Sequence, residues 1–116
     1  MEEIINNSME SYNNYLNNIV IGCQDIIESI QKNEKQAALK LISQFSEGIT
    51  WLTEINRRLK GFGYNVELNN SLLQNMLNDI NGALTLGDFV LVADIFEYEV
   101  KEYFSNCEKY RVEQAN

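Results

Sequence analysis

The candidates for chemistry in this 116-residue chain are carboxylates, tyrosines and two cysteines, and it contains no histidine. That removes the Glu-x-x-His ligand sets of di-iron bundles, histidine-ligated zinc and every triad with an imidazole base. Cys23 and Cys107 stand most of a chain apart and fit no metal or redox spacing. No dinucleotide or phosphate-loop pattern occurs, and Gly82 with Gly87 lacks the lysine and the preceding strand such a loop needs. No catalytic residue, metal-ligand set or cofactor is therefore expected.

One carboxylate pair stands out. Asp94 interrupts the most apolar stretch, Phe89 to Ala93, and Glu97 lies one turn later on the same helical side. A polar or metal site here would be completed by acids from another helix, such as Glu47 or Glu54, and would suit a hard cation. The preferred, ordinary reading puts Asp94 at an exposed edge, or paired with Arg57, Arg58 or a backbone donor. Gly22, Gly48 and Gly82 also need a reason, since each costs a helix about 0.5 to 1 kcal/mol against alanine. Close helix crossing is the preferred explanation and a kink or small pocket the alternative, with Gly48 the most interesting of the three.

The elements that would position these residues read clearly. Apolar residues at Ile5, Met9, Tyr12, Leu16, Ile19, Cys23, Ile26 and Ile30 alternate four- and three-residue steps, which predicts a long helix with one buried stripe. Asn33 ends it as a left-handed terminator or caps the next helix. That second helix carries Ala38, Leu41, Ile42, Phe45, Ile49, Leu52, Ile55 and Leu59, and closes at Lys60-Gly61. A loop over 61–66 leads to a third helix from Leu68 to Leu84, and Gly87-Asp88 supplies a terminator followed by an N-cap. The fourth helix starts at Phe89, continues through Phe96, Val100, Tyr103, Cys107 and Tyr110, and should be most deeply buried in its first turns.

Four helices with short connections predict a single domain over residues 1–116, folded as an all-α, antiparallel up-down-up-down four-helix bundle. A three-helix core with a domain-swapped fourth helix is the rival. In the bundle, Tyr12, Tyr15, Phe62, Tyr64, Tyr103, Phe104 and Tyr110 converge at one end. They read as a hydrophobic plug or, alternatively, as a partner surface, since tyrosine suits interfaces that are half apolar and half wet. Antiparallel counting also separates Cys23 from Cys107 by roughly 16 Å, too far for a disulfide.

Seventeen acids against nine bases give a net charge of −8, with the bases scattered apart from Arg57-Arg58. Nucleic acid and anionic membrane are excluded as partners on that ground. The start Met-Glu-Glu is not the basic n-region of a signal peptide, no apolar run is long enough to span a bilayer, and two unpaired cysteines fit a reducing cytoplasm.

The segments Ile21-Gly22-Cys23, Glu47-Gly48-Ile49-Thr50-Trp51-Leu52 and Ala83 to Phe89 resemble those of small, uncharacterised helical proteins of Gram-positive anaerobes. The bundle pattern, Ile21-Gly22-Cys23 and Gly87-Asp88 opening a last helix with Glu97-Tyr98 also faintly resemble bacterial flagellar export chaperones. That second resemblance implies a helical bundle that clasps the terminal helices of another protein. The expected function is a non-enzymatic protein-interaction module, adaptor or chaperone-like, that binds a partner helix or itself as a homodimer. A ligand- or metal-binding bundle built on Asp94 and Glu97 is the alternative.

Overall fold

The four-and-three steps beginning near Ile5 wind into α1 (Glu2–Gln31), a thirty-residue helix that turns Ile5, Met9, Tyr12, Leu16, Ile19, Cys23, Ile26 and Ile27 inward. The computed structural model describes residues 2–112, and among them there is no strand. Asn33 takes a left-handed backbone (φ 59°) and ends α1, so of its two expected roles the structure shows the terminator. Glu34 then precedes α2 (Lys35–Gly61) without giving it a side-chain cap.

α2 lies along α1. The two run in opposite senses, because Tyr15 to Ile26 border Leu41 to Phe45 while Ile4 to Ser8 border Ile55 to Phe62. After a loop over 62–69, α3 (Asn70–Thr85) is capped by the Asn69 side chain, which accepts from the Leu72 amide at 3.0 Å. Gly87 (φ 69°) then reverses the chain, and the Asp88 carboxylate accepts from Leu91 N at 3.0 Å to open α4 (Phe89–Ile95).

The fourth rod differs from expectation in three ways. Its first turns are not its deepest part: Val90 is 73% exposed and Leu91 42%, whereas Val92, Phe96 and Val100 are fully enclosed. Facing a single side of the core, an all-apolar turn cannot bury all its residues. Second, Phe96–Val100 forms a π-helical turn before α5 (Lys101–Ser105). Its cause is the spacing of the buried residues Val92, Phe96, Val100 and Phe104. Three successive four-residue steps would rotate an α-helical stripe by about 120°, and one extra residue in a wider turn takes back about 100° of that.

Third, the helix ends at Ser105, so Cys107 and Tyr110 are not on it. Residues 107–112 leave as an irregular strap across α1. Asn13 holds the strap as a second backbone strand would: its Nδ2 donates to the Tyr110 carbonyl and its Oδ1 accepts from the Tyr110 amide, both at 2.9 Å. Tyr110 is buried with its ring edge-on to Tyr12, 4.8 Å between centroids.

Among the described residues twenty-four apolar side chains are buried, all but Ala38 in one contiguous core, and no polar or charged residue is buried with them. α1 is its centre, touching α2, α4, the π turn and α5, while α3 docks closely only against α4. Asn13→Ala should lower unfolding free energy by about 1–3 kcal/mol, because two backbone groups under a buried tyrosine lose their partners. Asn17→Ala, which removes only the exposed 2.8 Å bond from Lys109 Nζ, should stay within about 0.5 kcal/mol; urea titrations of both variants make the comparison.

Candidate functional site

The structure divides the seven aromatic residues expected at one end. Tyr12, Phe104 and Tyr110 are buried core, Tyr103 is half-buried, and only Phe62 and Tyr64 stand out into solvent. Tyr103 also serves as a tether, since its hydroxyl accepts from Asn69 N at 2.8 Å and so holds the start of α3. Asn56 donates to the Val66 carbonyl at 3.3 Å and to the Tyr110 hydroxyl at 3.0 Å, joining loop and strap to α2. The Tyr12 hydroxyl beside it is buried without a hydrogen-bond partner. A plug, not a surface, occupies most of this end.

Tyr15 points elsewhere. Its ring lies across Gly48 of α2, where an added methyl would land on the phenol oxygen, and packs against Trp51 with centroids 5.2 Å apart. Gly48 is thus a socket for a tyrosine, the close crossing expected of it. Gly22 and Gly82 have open space where a side chain would be. Beside Gly22 that space is an apolar notch of about 160 Å³, walled by Ile19, Ile26, Leu41 and Phe45.

A second notch of about 170 Å³ lies between Ile4, Ile5, Ile55 and Leu59, rimmed by Phe62. Both open on the same outer face of the α1/α2 hairpin, on either side of the Tyr15–Trp51 pair. The groove they form exposes Ile4 (66%), Phe62 (56%) and Trp51 (38%). Its signal was present in the sequence: Ile4, Ser8, Ser11, Tyr15, Asn18 and Gly22 alternate four- and three-residue steps, as do Leu41, Gln44, Gly48, Trp51, Ile55, Arg58 and Phe62. Each helix carries this second stripe about 100° from its core stripe.

Asp94 and Glu97 are both exposed on the fourth rod. Among the described residues no three acids or cysteines approach closely enough to hold a metal ion. Glu54 is engaged by Arg57 at 3.2 Å and Arg58 at 3.0 Å on the surface of α2, hydrogen bonds that hold its carboxyl below the usual range. A broad polar cleft near the 62–69 loop has its reach already used, with Asn56 bonded to Val66 and Glu108 accepting from Glu67 N at 3.3 Å. Cys23 and Cys107 are free thiols, the first sealed in the core and pushed up to about 12 by burial.

Among the described residues the molecule is all-helical, no polar or charged residue is buried in its core, and two small apolar notches flank the Tyr15–Trp51 pair. The chain belongs to the family Domain of unknown function (DUF8042), which it matches over residues 7–110. No curated protein and no solved structure matches it significantly. Among the described residues no helix is long and apolar enough to cross a membrane.

The two glycines separate socket from notch experimentally. Gly22→Ala should raise stability by about 0.5–1 kcal/mol through helix propensity alone, whereas Gly48→Ala should lower it by about 1–3 kcal/mol as Tyr15 is forced off Trp51; thermal melts and Trp51 fluorescence read both. Alkaline pH tests the plug. Burial, the first cause in each case, raises the phenols of Tyr12, Tyr15, Tyr103 and Tyr110, with Tyr103 pushed up to about 12. Unfolded phenols lose their protons near pH 10 while the folded ones keep theirs, so the folded state binds more protons above that pH and loses stability. Unfolding free energy should begin to fall above about pH 8, as unfolded thiols ionise while the buried Cys23 keeps its proton, and fall further between about pH 10 and 12 as the phenols follow, with tyrosinate absorbance at 295 nm lagging behind that of urea-unfolded protein.

Proposed function

We propose that this chain is a non-enzymatic protein-interaction module, adaptor or chaperone-like, that seats an apolar helix in the α1/α2 groove. The observation that carries the reading is the exposure of Ile4, Trp51 and Phe62 around two apolar notches, on a domain with no buried polar or charged residue among those described. Exposed apolar side chains beside two notches on neighbouring helices are suited to a helix laid lengthwise with anchors every three or four residues. The fold behind it is an up-down-up-down antiparallel bundle in which the fourth rod returns along α1. Support for that arrangement comes from the opposed senses of α1 and α2 and from the contacts of α1 with α4, the π turn and α5.

The faint likeness to flagellar export chaperones points the same way, because a small acidic bundle that clasps a helix needs such a groove. The two free cysteines accord with work in a bacterial cytoplasm. A photo-crosslinking amino acid in place of Trp51 should give one discrete protein adduct in cells, and the same group in place of Glu99, on the acidic fourth rod, should give none. Trp51→Asp should weaken the captured complex at least about tenfold. No adduct from position 51, or equal adducts from 51 and 99, counts against the groove.

A further inference from the structure

α3 is the least anchored of the long helices. It docks closely only against α4, and on its α2 side a cleft of about 470 Å³ separates Ile49, Thr50 and Thr53 from Asn70, Leu73 and Leu77. Among the described residues no side chain of α3 makes a hydrogen bond or ion pair outside its own helix: Gln74 bonds Asn78 at 3.1 Å, and Thr85 donates to the Asn81 carbonyl at 2.8 Å. What holds α3 is one apolar seam, Leu73, Met76, Ile80 and Ala83. To this is added a latch at its start, where the Tyr103 hydroxyl accepts from Asn69 N at 2.8 Å.

A helix held this way does not survive release. Sixteen residues are near the length at which even an alanine-rich helix is only marginal in water, and Asn75, Asn78, Asn81 and Gly82 rank low as helix formers. Leaving the seam therefore means unwinding, which returns the conformational entropy that ordering the segment had cost. The flanks stay pinned meanwhile. Before the segment Asn56 donates to the Val66 carbonyl at 3.3 Å, and after it Asp88 caps α4, which lies on α1. The bonds between Asn13 and Tyr110 that fasten the strap involve no residue of the segment and are kept.

We infer that α3 is an order–disorder lid. Residues 69–86 come off the Tyr103 latch and unwind as one unit while α1, α2 and the fourth rod stay folded, uncovering the apolar strip on which Leu73, Met76, Ile80 and Ala83 rest. Lid opening does not depend on the α1/α2 notches or on what they bind.

Native-state hydrogen exchange of the full chain, followed amide by amide by NMR, tests the lid. In the wild type the amides of residues 74–85 should share one opening constant, at least about tenfold larger than that of the α1 amides from Tyr12 to Cys23. Two variants then separate lid opening from global unfolding. Tyr103→Phe removes a bond lost in both events, so it should raise both constants by a similar factor of about two to ten. Asn13→Ala removes only bonds that outlast lid opening, so it should raise the α1 constant at least about fivefold and leave that of α3 where it was. A wild type in which α3 and α1 share one opening constant overturns the lid, and so does an Asn13→Ala chain in which both constants rise alike. An α3 constant unmoved by Tyr103→Phe overturns the latch.

Discussion

The inward stripe of α1, from Ile5 to Ile27, is the surface on which α2, α4, the π turn and α5 all rest. A helix in that position has to be apolar on more than one side and regular over its whole length. Thirty residues of unbroken α-helix meet the second demand, and the chain contains no proline to interrupt them. The first demand explains Tyr12. A phenol at the centre of the stripe fills the volume between α2 and the strap, and its hydroxyl is buried there without a hydrogen-bond partner. Leaving one polar atom unsatisfied costs on the order of 1–3 kcal/mol, of the same order as the apolar burial of a large ring.

How much of this could be read from sequence depended on whether a residue's role was local. Periodicity in α1 and α2 named nearly every buried side chain, since one face of a helix packing on a core has a fixed period. Gly87-Asp88 marked its turn for a similar reason: positive φ and an N-cap are decided within four residues. The fourth rod was harder. Phe89 to Ala93 satisfies any burial pattern, so hydrophobicity could not say which side faced inward. The evenly spaced four-residue steps through Phe104 held the clue to the π turn. The end at Ser105 had only a weak marker, Asn106, whose amide donates back to the Glu102 carbonyl at 2.8 Å. Continuing the heptad through Cys107 and Tyr110 was natural because a strap also buries every third residue or so.

The aromatic residues show a different limit. Convergence of Tyr12, Tyr103, Phe104 and Tyr110 followed from counting along antiparallel helices, yet whether they close a core or face a partner depends on what covers them. The cover is the strap, held by Asn13, and a polar residue 97 positions from its partner leaves no local trace. Tyr15, in the same group by sequence, departs because Gly48 lets its ring cross onto α2. Its displacement from the plug makes it a wall of the Gly22 notch, packed against Trp51.

The chain therefore distributes its surface unequally. Acids gather on the fourth rod, where they repel like-charged neighbours, while the large apolar side chains left outside the core are spread over several elements, from Ile4 and Phe62 beside the α1/α2 notches to Leu86, Val90 and Tyr98 at and after the turn into α4. Nothing in the core requires Ile4, Trp51 and Phe62 to stand exposed beside the two notches, and α1 would be a better helix with alanine at 22. A glycine beside one notch, with large apolar side chains exposed around the other, costs the chain stability and exposes it to aggregation. Gly22 meets no atom within van der Waals reach of where its side chain would be, so no contact among the described residues offsets those costs.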